Sequence, residues 1–314
     1  MDREGFVPFH INAEKGDFEG NGGHGRYVLL PGSEGRAEKI ASTWKDVIVK
    51  KHPRNHNLYL GRMESGAGDI DMAVISTGMG APSADIIINE LINLGARNLI
   101  RIGTSGSMQP DLVPAGSVVV PTGSVKDETT SARYLPVEMP AVPSLEFLTA
   151  AYTAWTETRG EVDAADDYAD SAAVEAVNDY ADIARNDVKQ DSVLPCDVFF
   201  GVVHSKDSLY AREMLVGPKR RENEEYMRVL KDSGVLASEM ETSILFTLGQ
   251  LYSRQFAREG DRPVLTGAVL AVIGGSTPFG DKATEAAAID AAISFCLKTV
   301  GVLHRIRIQS RMQY

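Results

Sequence analysis

Three times in this chain a short apolar run passes straight into a turn of glycines and hydroxyl residues: LLPGSEGR at 29–36, STGMGAPS at 76–83 and RIGTSGS at 101–107. A strand that ends this way leaves consecutive backbone N–H groups at the carboxyl edge of a sheet. Ligands of open α/β folds bind there, and glycine lets the backbone approach an anion closely. Arg36 and Arg101 stand at the edges of two turns, and Ser33, Thr77, Thr104 and Ser105 add hydroxyls. A guanidinium fork matches two oxygens of a tetrahedral oxyanion while hydroxyls and amides take the others, so the three turns together suit phosphate. Singly, each also reads as an ordinary strand-end turn. There is no GxxxxGK[ST] loop, and the Gly78-Met79-Gly80 turn lacks the third glycine of a dinucleotide fingerprint, which disfavours nucleoside triphosphates and NAD.

Around these turns, apolar and β-branched runs predict strands at 27–30, 47–51, 59–63, 72–76, 98–102, 118–120, 198–204, 235–238 and 265–273. Helical spacing predicts helices over 83–94, 222–232, 241–256 and 282–306. The alternation predicts an α/β fold with a mixed central sheet flanked by helices. No fixed-period repeat or low-complexity linker divides the chain, so one domain over 1–314 is expected.

Charge narrows the partners. Forty-three acids against 32 bases leave a net charge of -11, which argues against binding to a nucleic-acid backbone. Much of that acidity is local: between 157 and 191 eleven acids face three bases, and an acidic insert is expected at about 156–192. Val174, Val177, Tyr180, Ala181 and Ala184 within it have helical spacing, so part of it is read as a surface helix. Continuous apolar stretches such as 264–273 are too short to cross a bilayer. The opening MDREGFVPFH carries no apolar leader core, and a cytoplasmic location is expected. Cys196 and Cys296 are the only cysteines, with no CxxC or Cys/His cluster, so neither a disulfide framework nor a metal site is expected.

A fourth feature is SEMETS at 238–243, read as the end of a strand and the start of a helix. In an extended segment Glu239 and Glu241 point to the same side and could accept hydrogen bonds from neighbouring sugar hydroxyls. A carboxylate stabilising a helix start is the alternative.

Taken in order, LPGSEGRAEKIA, STGMGAPS, LIRIGTSGSMQP and ASEMETS resemble the α/β nucleoside phosphorylases, and SVKDETTS and LPVEMPAVP resemble the uridine branch. VVHSKDSLY extends the similarity to nearly the whole chain outside the acidic insert. The resemblance implies phosphorolysis of a pyrimidine nucleoside, uridine and phosphate giving uracil and ribose 1-phosphate. It assigns Gly32, Arg36, Arg101 and Thr104 to phosphate, with Arg54 donated across a dimer interface. Met240 and Glu241, with Glu239, would hold the ribose, and His10 would reach the sugar 5'-hydroxyl from an adjoining subunit. Ser105 and Gly106 would line the base. Arg36, Arg101 and Glu241 would carry the chemistry. Relatives form dimers with composite sites, commonly arranged as hexamers. They need no organic cofactor, inorganic phosphate being a co-substrate, and a structural monovalent cation is compatible with the family.

Two departures bear on specificity. The family's uracil-reading aromatic, glutamine and arginine are replaced by Leu209, Tyr210, Ala211, Arg212 and Glu213, of which Arg212 and Glu213 could supply donors and an acceptor. Where purine enzymes carry an acidic aspartate, this chain has VIGGST at 272–277. A purine-nucleoside phosphorylase, a nucleosidase and a nucleoside-binding protein without turnover are the competing readings. The paired arginines favour a phosphate-using site over a water-using one.

Overall fold

Tyr27–Pro31 (β1) has no ionisable side chain except a phenol and is buried along its whole length, which is what a parallel strand covered on both faces requires. The computed structural model describes residues 5–66, 68–159, 196–275 and 280–312. Along it follow Glu34–Ala41 (α1), Lys45–Lys50 (β2), Leu58–Met63 (β3), Ile70–Ile75 (β4), Ala81–Asn93 (α2), Asn98–Ser107 (β5) and Val118–Asp127 (β6). Next come Leu145–Arg159 (α3), Val198–Lys206 (β7), Leu209–Arg212 (α4), Arg220–Asp232 (α5), Ala237–Glu239 (β8), Thr242–Arg258 (α6), Leu265–Gly274 (β9) and Lys282–Met312 (α7).

The strands form one mixed sheet in the order β2-β3-β4-β1-β5-β8-β7-β6-β9. β9 pairs in parallel with β5 and antiparallel with β6, so the second half of the sheet closes on itself as a ring. Side chains alternate across the strands. Tyr27 and Leu29 of β1 join a core with Ile40 of α1, Phe147 of α3 and Phe295 and Val300 of α7. Val28 and Leu30 join the opposite core with Ile87 and Leu91 of α2 and Leu245 and Leu248 of α6. Each fully buried side chain of this size contributes about 1.5–3 kcal/mol relative to an exposed one.

All nine expected strands and four expected helices occur, but several limits move. The 101–107 segment is not a turn: β5 runs on through Gly106 and Ser107, which pair with Ser238 and Ala237 of β8. β6 extends past Pro121 to Asp127 because a register irregularity between Pro121 and Gly123 lets it stay paired with β7. Helices α1 and α3 were not expected. The buried face of α3 is Phe147, Ala150, Ala151, Ala154 and Thr158, mostly alanines that give a weak apolar signal. Its length also moves the start of the acidic insert. Glu157 belongs to α3 and is ion-paired with Arg305 of α7. The helix expected at Val174–Ala184 lies outside the described residues. Among the described residues α7 is long and apolar enough, by length and composition, to cross a membrane, but 56% of its most apolar window is buried. Alanines dilute its apolar runs, so no short stretch of sequence reveals this length.

Candidate active site

The site is assembled where β1, β4, β5 and β8 end. Pro31 leads into Gly32 and Ser33, the residue that precedes α1, and Arg36 lies in the first turn of that helix. Across from it, β4 ends in the 76–80 turn. Gly78 and Gly80 have φ of 71° and 85°, and a Cβ on Gly78 would lie 2.4 Å from Ser83 Oγ, so both conformation and space require glycine there. The two turns are tied together: the Thr77 amide donates to Pro31 O at 2.9 Å, and Gly32 lies against the Gly78 carbonyl.

Arg101, buried in β5, is the hub. Its Nε donates to Glu239 Oε2 at 3.2 Å and its Nη2 donates to Glu241 Oε2. Its Nη1 is buried and meets no hydrogen-bond acceptor among the described residues. Gly103 makes room for this geometry, because a Cβ there would stand 2.9 Å from the guanidinium and 2.6 Å from Leu270. Arg36 donates to Ile102 O at 3.3 Å, and burial together with the nearby Arg101 charge pushes its pKa down to about 10. Two guanidiniums that repel each other, one with an N–H left over, suit an anion.

The two glutamates behave differently. Glu239 accepts from Arg101, Ser205 Oγ and the amides of Glu241 and Thr242, at the start of α6. Burial would raise its pKa, but Arg101, Ser205 and those amides hold it below the usual range. It is a helix-start carboxylate with its oxygens engaged, so the expected contact of Glu239 with a sugar is not what this geometry provides. Glu241 accepts from the Gly80 amide at 2.5 Å and from Arg101. Burial raises its pKa; Arg101 opposes that rise and the Glu239 charge adds to it. Each Glu241 oxygen accepts a single hydrogen bond where those of Glu239 accept several, and Met240 is half-buried beside it.

The base segment is rearranged relative to expectation. Arg212 does not face outward to read a ligand: its Nε and Nη2 grip both Asp127 oxygens at 2.6 Å, its Nη1 donates to Asn223 at 2.7 Å, and its plane lies 4.2 Å from the Tyr226 ring centroid. All three nitrogens are committed to holding α4 and α5 on β6. Ser105 is buried with its hydroxyl on Ala271 O at 3.3 Å, so it closes the β5–β9 seam rather than lining a pocket. Thr104 and Gly106 are half-buried on the alternate face of β5, and Leu209 is half-buried at the start of α4.

His10 and Arg54 do not join this cluster within the chain. The Phe9 and His10 amides and His10 Nδ1 all bond Glu90, the last at 2.7 Å. Glu90 is ten residues beyond Gly80 along α2, roughly 15 Å at the helical rise. Arg54 is exposed in the turn between β2 and β3.

Sequence reasoning missed Gly103, Ser205 and a second buried network. In that network Asp127 Oδ2 is 2.9 Å from His204 Nε2, and His204 Nδ1 is 3.0 Å from Ser238 Oγ. Lys206 Nζ donates to the same hydroxyl at 2.9 Å. His204 and Lys206 alternate in the run VVHSK, where the expected strand stopped at His204, two residues short of Lys206, and burial of the lysine had no signal.

Fold and site together define an α/β protein whose strand ends bring two guanidiniums next to a buried carboxylate. Comparison with known proteins places it more closely. The sequence model of the Phosphorylase superfamily matches residues 26–258, and the chain belongs to that family. It is similar to a uridine phosphorylase of Treponema pallidum (strain Nichols), 35% identical over 86% of this chain and 83% of the relative. A guanosine phosphorylase of Halorubrum lacusprofundi is 28% identical over 77% and 76% of the two chains. In three dimensions it resembles the crystal structure of uridine phosphorylase from Vibrio fischeri ES114, with a TM-score of 0.62, 21% identity and coverage of 96% and 99%.

Proposed function

We propose that the protein catalyses phosphorolysis of a pyrimidine nucleoside: uridine and inorganic phosphate yield uracil and ribose 1-phosphate. The observation that carries this reading is Arg101, whose Nη1 meets no acceptor among the described residues beside a second, depressed guanidinium at Arg36, while its other side engages Glu241. A phosphate dianion would satisfy that N–H and relieve the repulsion between the two cations. Glu241 is then placed to exchange a hydrogen bond for ribose hydroxyls directly above the anion.

Chemically, a phosphate oxygen bonds to C1' as the C1'–N1 bond breaks with its electron pair going to the base. The sugar passes through an oxocarbenium-like state between two anions, and no protein nucleophile is needed. The residues align phosphate with C1' and balance charge, through Arg36, Arg101, Thr104 and the Gly32 turn below and Glu241 with Met240 at the sugar. Phosphate enters as a substrate, so no organic cofactor is required. Paired phosphate arginines favour this over a nucleosidase. Similarity to a guanosine phosphorylase keeps 6-oxopurine nucleosides as a second reading.

Composite sites complete the picture. Arg54, exposed in its turn, and His10, oriented by Glu90, would serve a neighbouring subunit's phosphate and 5'-hydroxyl in a dimer, with dimers arranged as a hexamer. The free thiols Cys196 and Cys296, both with pKa raised by burial, fit a reducing compartment such as the cytoplasm. The test is release of free base from uridine, thymidine, inosine, guanosine and adenosine, each with and without phosphate. Uracil release that needs phosphate is the expected result; release without it would make the protein a nucleosidase and overturn the proposal.

A further inference from the structure

With Arg212 locked onto Asp127, no arginine among the described residues is free to read a base, yet a different cation lies beside this segment. Lys206, the last residue of β7, is buried, and lysine is seldom buried without an ionic partner. Its Nζ donates to Ser238 Oγ at 2.9 Å and lies 2.7 Å from Glu213 Oε1. Ser238 is in turn held by His204, whose other ring nitrogen meets Asp127. The ammonium is thus fixed by Ser238 Oγ and, at 3.4 Å, by Glu239 O, and Glu213 is its exchangeable side-chain partner.

Two observations set this pair at the base. Glu213 faces β5 at Gly106, where a Cβ would lie 3.8 Å from Glu213 Oε2, five residues beyond Arg101 on the same strand. Glu241 feels the positive charge of both Arg101 and Lys206. In a nucleoside meeting phosphate, the ribose lies between anion and base. Glu239 O, which Lys206 reaches at 3.4 Å, is two residues before Glu241, so the Lys206–Glu213 pair adjoins the carboxylate bonded to Arg101.

We propose that Lys206 and Glu213 read the O=C–N–H edge of the base, Lys206 donating to the carbonyl oxygen and Glu213 accepting from the ring N–H. The assignment rests on the phosphorolysis reading above and specifies its substrate class: 4-oxopyrimidine and 6-oxopurine nucleosides, which share this edge. Cytosine and adenine present an amino donor beside a bare ring nitrogen. Against this pair that order sets donor on donor and lone pair on carboxylate, a mismatch in buried polar groups that sites of this kind reject strongly. Lys206 has a second consequence. As the C1'–N1 bond breaks, the electron pair spreads onto the carbonyl oxygens of the departing base, and the ammonium stabilises that charge without giving up its proton. The free base takes its proton from water after release.

The experiment compares wild type, Lys206→Met and Glu213→Gln on uridine, 5-fluorouridine and cytidine with saturating phosphate. 5-Fluorouracil is the more acidic base and leaves with less help. Lys206→Met should lose about 100- to 1000-fold in kcat on uridine, and at least tenfold less on 5-fluorouridine. Glu213→Gln, which can present an amide N–H in place of an acceptor, should lower the uridine-to-cytidine preference by about tenfold or more. Protection of each variant against thermal unfolding by phosphate reports an intact fold and anion site. Wild type without phosphate-dependent base release from any nucleoside would defeat the phosphorolysis reading itself. An active wild type with Lys206→Met equally impaired on uridine and 5-fluorouridine, or unimpaired on both, would overturn the role of Lys206. An unchanged cytidine preference in Glu213→Gln would overturn that of Glu213.

Discussion

Arg101 and Arg212 each sit among acidic side chains at strand ends, and the sequence offered both as ligand-binding groups. Their surroundings differ in one respect. Arg212 spends every nitrogen on Asp127 and Asn223, and Asp127 raises its pKa, whereas Arg101 keeps Nη1 unsatisfied beside a cation that it depresses. A guanidinium whose donors and charge are balanced by its own chain holds structure. One left short of an acceptor in a buried place waits for a ligand, since an unpaired buried donor costs about 1–3 kcal/mol.

The largest effect should follow from Arg101. Arg101→Ala leaves Glu239 and Glu241 buried face to face without their shared cation, which should cost about 3–5 kcal/mol of stability and about 1000-fold in phosphate-dependent turnover. Arg101→Lys keeps the charge but loses the fork, so it separates the two effects: denaturation should show most of the stability restored, while kinetics should remain at least tenfold impaired. Wild-type turnover by Arg101→Lys would break the comparison at its centre.

Arg36 sharpens it. A cation whose folded pKa lies below its unfolded value binds fewer protons when folded, so stability rises with pH from about 10 up to its unfolded value, and at neutral pH its charge opposes folding. Arg36→Ala should therefore leave the phosphate-free protein as stable as wild type or slightly more so. Its kcat/KM for phosphate should fall about 30- to 100-fold. Phosphate at 100 times its Kd should stabilise wild type by about 2.7 kcal/mol, seen as a raised Tm, and this shift should shrink in the variant. A large loss of stability in Arg36→Ala without phosphate would mean that its charge is already balanced.

Arg212→Ala should reverse the pattern: about 2 kcal/mol lost in chemical denaturation, because Asp127 is left with His204 alone, and less than about tenfold lost in turnover. If turnover collapsed while stability held, Arg212 would be the functional arginine and the balance of its donors a poor guide.

This contrast marks what a sequence can disclose. The Gly78 turn, the strand before it and Glu241 at the start of α6 were legible because turn chemistry and apolar runs are local. The third glycine segment was misread as a turn, since its small residues serve the close approach of Arg101 to Gly103 and the pairing with β8, both of which depend on distant strands. Arg212 and Glu213 looked equivalent in the chain. Asp127, 85 residues earlier, separates them by capturing one, and Lys206, hidden at a strand end, pairs with the other. Whether a charged group is satisfied is a property of its neighbours in space.

The smallest effect concerns His10, where the comparison extends to a group outside the cluster. Glu90 accepts two backbone N–H groups as well as the imidazole. A carboxylate can only accept, so His10 Nδ1 carries hydrogen and a neutral ring presents Nε2 as an acceptor. His10→Ala removes that acceptor while Glu90 still accepts from the Phe9 and His10 amides. If His10 serves the 5'-hydroxyl of a substrate in an adjoining subunit, KM for uridine should rise about fivefold, near 1 kcal/mol, while KM for 5'-deoxyuridine stays the same. Equal changes for both substrates would detach His10 from the sugar and leave Glu90 as a tether for the N-terminal segment, its oxygens balanced by its own chain as those of Asp127 are.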